Sequence, residues 1–107
     1  MGADLNTVGG TATGMGNTIA FNTGDGIYLE DANADNNRII GNSIFSNTGL
    51  GIDIDPDGVG TGSGANNDKA APTITSVSPS GPDFTAVVTV TSGDLVEFFR
   101  VNNAAPC

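Results

Sequence analysis

GNTIAFNTGDGIYL (residues 16–29) and GNSIFSNTGLGIDI (residues 41–54) decide how this chain folds, because the second is a near copy of the first displaced by 25 positions. The displacement matches Gly16 with Gly41, Asn17 with Asn42, Ile19 with Ile44, Asn22 with Asn47, Thr23 with Thr48, Gly24 with Gly49, Gly26 with Gly51 and Ile27 with Ile52, eight identities in fourteen positions. Thr18/Ser43 and Leu29/Ile54 are conservative pairs in the same alignment. A period in the twenties is the size of one coil of a solenoid, a unit that buries its apolar side against a neighbouring copy of itself.

Upstream, NTVGG (residues 6–10) sets against NRIIG (residues 37–41) at an offset of 31, pairing Asn6 with Asn37, Val8 with Ile39 and Gly10 with Gly41. The offset then falls to 25, so the first copy carries six extra residues, near positions 11–16, in a Gly- and Thr-rich loop. Each copy thus holds three short apolar phrases: one around Val8 and Ile39, one around Ile19 and Ile44, and Ile27-Tyr28-Leu29 matched with Ile52-Asp53-Ile54. The last phrase alternates as a strand with one buried face must. The expected inward set is Val8, Ile19, Ile27, Leu29, Ile39, Ile44, Ile52 and Ile54. Gly, Asn or Asp interrupts nearly every candidate helical window, so helix content is expected near zero.

Asn-Thr-Gly-x-Gly, at residues 22–26 and 47–51, supplies residues that take positive φ cheaply, as the corners of a coiled β structure require. If equivalent residues lie above one another, Asn17 stacks on Asn42 and Asn22 on Asn47 at about 4.8 Å, and their amides form a structural ladder.

These phrases resemble the right-handed parallel β-helix repeats of large bacterial secreted and surface proteins, the broad pectate-lyase-like superfamily. The resemblance covers residues 5–55 and implies an all-β fold: a right-handed parallel β-helix of about two coils with three short strands each. It also implies secretion or display at a cell surface. That superfamily holds lyases, hydrolases, epimerases, adhesins and phage tailspikes, so the resemblance speaks to fold and not to function.

After Ile54 the periodicity stops. Residues 58–71 are rich in Gly and Asp and read as a linker. A different pattern follows, with β-rich runs at residues 73–77, 84–91 and 95–101. TAVVTVTSGDLVEFFRV (residues 85–101) is the hairpin candidate. The three runs resemble the opening of an immunoglobulin-like β-sandwich, although a full one takes about 100 residues; a small sheet covering the end of the coils is the alternative. The expected organisation is 1–57 parallel β-helix coils, 58–71 linker and 72–107 the strands of a truncated immunoglobulin-like module. The chain reads as an excerpt of a longer protein, with a small inward set and poor stability on its own.

Twelve acidic residues face three basic ones, Arg38, Lys69 and Arg100, with no His, for a net charge of −9. Nucleic acid and anionic membrane are poor partners for such a surface, because both need clustered Lys and Arg. No apolar segment is long enough to insert in a membrane, and no signal peptide is visible at Met1. Cys107 is the sole cysteine and cannot close an internal disulfide.

Asp53-Ile54-Asp55-Pro56-Asp57-Gly58 has the D-x-D-x-D-G spacing that opens a calcium loop, but Gly64 stands where the bidentate closing Glu belongs, which argues against an EF-hand. The coil alignment separately sets Glu30 beside Asp55 and Tyr28 beside Asp53. Like charges that close need screening, protonation or a bridging cation. Glu30, Asp53, Asp55 and Asp57 are therefore the candidate calcium ligands, with Asp31 near enough to contribute and Asp68 able to fold back from the loop; solvated carboxylates without metal are the simpler reading.

Tyr28, the one aromatic expected to be exposed, and Arg38, the one basic residue within the repeats, are the candidate ligand contacts. Phe21 and Phe45 are expected to pack. Lone Arg38 is thin support for catalysis. A Thr-rich ice-binding face is broken by Ser43 and by Tyr28/Asp53. The expected role is a non-catalytic structural or adhesive segment of an extracellular β-helix protein that contacts polysaccharide or another cell surface. The alternative is part of a carbohydrate-active enzyme whose catalytic coils lie largely outside this segment.

Overall fold

A computed structural model describes residues 2–54 and 64–99. Eight strands and one short 3-10 turn make it an all-β structure, with no α-helix among the described residues. Six strands are two or three residues long: β1 (Thr7–Gly9), β2 (Thr18–Ala20), β3 (Ile27–Tyr28), β4 (Arg38–Ile40), β5 (Ser43–Phe45) and β6 (Ile52–Asp53). Each holds at least one β-branched residue and is preceded directly by Gly or Asn, which limits its length.

The chain makes two passes, and each strand of the second lies parallel to its equivalent in the first. β1 pairs with β4 through Val8 and Ile39, β2 with β5 through Ile19 and Ile44, and β3 with β6 through Ile27 and Ile52. These registers are the offsets of 31 and 25 read from the sequence. Hydrogen bonds continue through the corners: Gly10 N–H donates to Ile40 C=O at 2.9 Å, Gly26 N–H to Leu50 C=O at 2.9 Å, and Thr48 N–H to Asn22 C=O at 3.0 Å.

Such close stacking leaves no room for side chains where backbone crosses backbone. Gly41 has φ 67°, and a Cβ there would sit 2.1 Å from Gly10 O. At Gly16 a Cβ would sit 2.2 Å from Gly41 O. Glycine holds both positions because of this approach, and Gly41 needs it for the left-handed φ as well.

The apolar interior is thin. All eight residues of the expected inward set are half-buried. Full burial is reached by Ala34, Ile40 and Ala65, and none of the described large side chains is completely enclosed. Two passes expose both ends of the stack, and half-burial is the result.

Residues 64–68, within the stretch read as a linker, dock on the second pass. Gly64 turns with φ 78° into the 3-10 turn at Ala65–Asp68. Asn66 N–H then donates to Ala34 C=O at 2.8 Å, and Asn37 N–H to Asn66 Oδ1 at 2.7 Å. The proposed boundary at residue 57 lies outside the described residues.

β7 (Thr73–Ser80) and β8 (Asp83–Thr89) form an antiparallel hairpin. Gly81, at φ 64°, and Pro82 make its connection. The register slips between Ile74 and Ser76, and Thr75 Oγ1 donates to Val87 C=O at 3.0 Å across the irregularity. The pairing differs from the expected hairpin over residues 85–101. Gly93, at φ 91°, with the bond from Asp94 N–H to Thr91 C=O at 3.1 Å, turns the chain away from β8. Residues 95–99 form no strand and run toward the second pass instead. Val101, the end of that run, lies outside the described residues.

Candidate functional site

The polar group built most completely is the set of stacked amides. Asn17 donates from both its backbone N–H and its Nδ2 to Asn42 Oδ1, each at 3.0 Å. Asn22 does the same to Asn47 Oδ1 at 3.1 and 2.9 Å. A third column was not anticipated: Asn6 donates twice to Asn37 Oδ1 at 3.0 Å, and Asn37 N–H passes the pattern to Asn66. The 31-residue match of Asn6 with Asn37 already carried that signal.

The second-pass side chains also reach back across the stack. Asn42 Nδ2 donates to Val8 C=O at 2.9 Å and Asn47 Nδ2 to Ile19 C=O at 3.2 Å. Asp25 serves a related purpose, its Oδ1 accepting from Leu50 N–H at 2.6 Å. Every contact of this kind ties one pass to the other, as buried or half-buried polar groups must be tied. The asparagine amides among them are neutral and do not titrate.

Of the acidic candidates, Glu30 and Asp53 fall among the described residues. Tyr28 is partly exposed and lies in register with Asp53. Asp53 is not a solvated carboxylate: it is 7% exposed, and its Oδ1 is enclosed with no hydrogen-bond donor among the described residues. Glu30 is exposed, and Asp55 and Asp57 lie outside the described residues. Among the described residues no three His, Cys, Asp or Glu side chains gather closely enough to hold a metal ion.

Asp31, considered near that group, is committed elsewhere. Its Oδ1 accepts from Asn33 N–H at 3.0 Å and from Asn33 Nδ2 at 2.9 Å in a turn whose own φ is 94°. The backbone donor first, and the side-chain donor second, hold its carboxyl below the usual Asp range.

Arg38 is exposed on β4, where it pairs with Thr7. It borders a cavity of about 800 Å³ between the second pass and the chain after β8, with walls that include Ile39, Leu50, Ile54, Leu95, Val96 and Phe99. Most of the polar groups around it are engaged. Lys69 pairs with Asp94. Glu97 presents both carboxylate oxygens to Gly41 N–H, at 2.9 and 3.2 Å. In the first pass the equivalent donor, Gly10 N–H, goes to Ile40 C=O. Glu97 therefore stands where the carbonyl of a further pass would stand. Nothing local in the sequence announced this contact across 56 positions.

The aromatic expectation is overturned. Phe21 is 78% and Phe45 45% exposed, and their rings meet edge to face with centroids 5.7 Å apart at 82°. Ile44 occupies the inward side of β5, so strand alternation sends Phe45 out. At Phe21 the chain turns with φ 61°, and Ser46 takes φ 52° at the same corner of the second pass.

No family model matches the chain, and comparisons with curated proteins and with solved structures find no match either.

Proposed function

We propose that this chain is part of a right-handed parallel β-helix of the pectate-lyase-like kind, and that it serves as a non-catalytic, structural or adhesive scaffold at a cell surface or in a secreted protein. The observation that carries the reading is the in-register stacking of three parallel strand pairs with three asparagine columns beside them. A wall built this way repeats its corners at a fixed spacing and presents outward side chains in rows, which suits contact with polysaccharide or a neighbouring surface.

The asparagines of the three columns, with Asp25, hold one pass to the next. Calcium remains the cation that the carboxylates Glu30, Asp53, Asp55 and Asp57 would suit as a group, with Glu30 and Asp53 its members among the described residues.

The test is co-sedimentation of the purified chain with insoluble polysaccharides and with whole cells, followed by analysis of the supernatant for released sugars. Retention without release of shortened chains is expected. Sugar release supports the alternative of a carbohydrate-active enzyme, and absence of retention on every matrix refutes the adhesive role. A calcium titration of the same binding decides whether the cation takes part.

A further inference from the structure

The corner occupied by Phe21 is an expensive place for an aromatic residue. A left-handed φ is disfavoured for any residue with a Cβ, and bulky ones are found there rarely. Ser46 fills the equivalent corner of the second pass, so the turn itself does not demand a large side chain. Burial does not explain the ring either, since 78% of Phe21 is exposed. Among the described residues the ring gains little beyond its edge contact with Phe45, and strain retained at so exposed a site is a reason to look for a ligand.

The surroundings of the ring narrow the ligand's chemistry. On the outward side of β2 and β5, Thr18 and Ser43 are register partners and both are exposed. Two residues further on, Phe45 is in register with Ala20, and its ring meets Phe21. The face is therefore a pair of aliphatic hydroxyls beside a pair of aromatic rings, and none of these residues is charged. A pyranose has the complementary surface: an apolar C–H face that lies on an aromatic ring, with hydroxyls at its margin that exchange hydrogen bonds with Ser and Thr.

With a net charge of −9, the chain repels a polyuronate and leaves a neutral glycan unaffected. We infer that Phe21 and Phe45, flanked by Thr18 and Ser43, form a binding platform for a neutral polysaccharide. This rests on the adhesive reading and gives it a site and a ligand class.

The experiment is an NMR titration of the whole chain with three probes of equal length: cellohexaose, mannohexaose and an oligouronate. The expected result is a shift of the Phe21 and Phe45 ring signals by at least one neutral hexaose and no response to the uronate. Phe45→Ala should weaken binding at least tenfold, and Phe21→Gly should do the same while leaving the thermal midpoint unchanged or higher, because glycine accepts the left-handed backbone.

Binding of a neutral hexaose that survives both substitutions overturns the platform and leaves the adhesive reading standing. Failure of every oligosaccharide to bind removes the platform, and with co-sedimentation also negative it removes that reading too. A fall of several degrees in the Phe21→Gly midpoint assigns the ring to the fold and overturns the proposal. So does loss of self-association in that variant, which would make a second copy of the chain the true occupant.

Discussion

Asn42→Ala is the substitution that tests the stacking most directly. Asn42 is 7% exposed, accepts two hydrogen bonds at 3.0 Å from Asn17, and donates two, at 2.9 Å to Val8 C=O and at 3.3 Å to Ile40 C=O. A typical intramolecular hydrogen bond contributes about 0.5–1.5 kcal/mol net, so losing four costs about 2–6 kcal/mol. Domains of ordinary stability hold only about 5–15 kcal/mol in all, and the thin interior places this chain toward the lower end. Asn47→Ala is the internal control. Its two bonds from Asn22 are exposed and its third, to Ile19 C=O, is longer at 3.2 Å, so about 1–2 kcal/mol is expected. Urea unfolding monitored by far-UV circular dichroism gives both numbers, and amide exchange at Asn17 N–H reports the contact itself. A loss at Asn42 no larger than at Asn47, or an Asn17 amide exchanging at the same rate in both proteins, would refute the claim that the amide columns hold the passes together.

Other consequences are as direct. Gly41→Ala should fail to fold or lose far more stability than Gly81→Ala: the left-handed backbone costs about 1–2 kcal/mol at either position, but only at Gly41 does a Cβ meet a carbonyl, Gly10 O, while Gly81 faces open space. Thermal melts of the two variants check the order. Glu97→Ala should speed exchange of the Gly41 amide, and Glu97→Gln, which keeps an acceptor, should restore most of the protection. For Asp31 the folded carboxyl titrates below its unfolded value, so whatever stability it contributes is complete above the unfolded pKa and is lost as pH falls through the folded one. A carbon-detected titration should place its midpoint below about 3.9, the ordinary Asp value. Asn33→Ala should move it only part of the way back, because the Asn33 backbone N–H remains.

The strand registers were legible because identical residues recur at fixed offsets: Ile19 with Ile44 and Ile27 with Ile52 need no more than an alignment of the chain with itself. The exposed position of Phe45 was legible too, since an inward Ile44 forces its neighbour outward. Composition misled that reading, for aromatic residues are usually associated with interiors. Asn66 escaped notice because its bond to Asn37 spans 29 residues, matching neither offset. The bond of Glu97 to Gly41 depends on where the chain turns after Thr91, and no repeat announces that turn. Asp53 shows a different limit: its alternation with Ile52 and Ile54 was plain, but burial of an outward side chain depends on what covers it, and a strand pattern contains no such information.

The balance between apolar and polar contacts gives these observations a common cause. A stack of two passes can half-bury a row of isoleucines but cannot enclose them, so apolar burial alone leaves the ordering entropy of the chain poorly offset. Directional bonds between passes supply the difference, and they do so column by column: Asn6 with Asn37, Asn17 with Asn42, Asn22 with Asn47, and Asp25 with the Leu50 amide. The same logic accounts for the occupants of the exposed end. Asn66, Asn67 and Glu97 accept from the amides of Asn37, Asn36 and Gly41, donors that a third pass would otherwise engage. Sequence outside the repeat is thus used to satisfy the repeat's last backbone donors, which limits the tendency of an open strand edge to pair with another molecule.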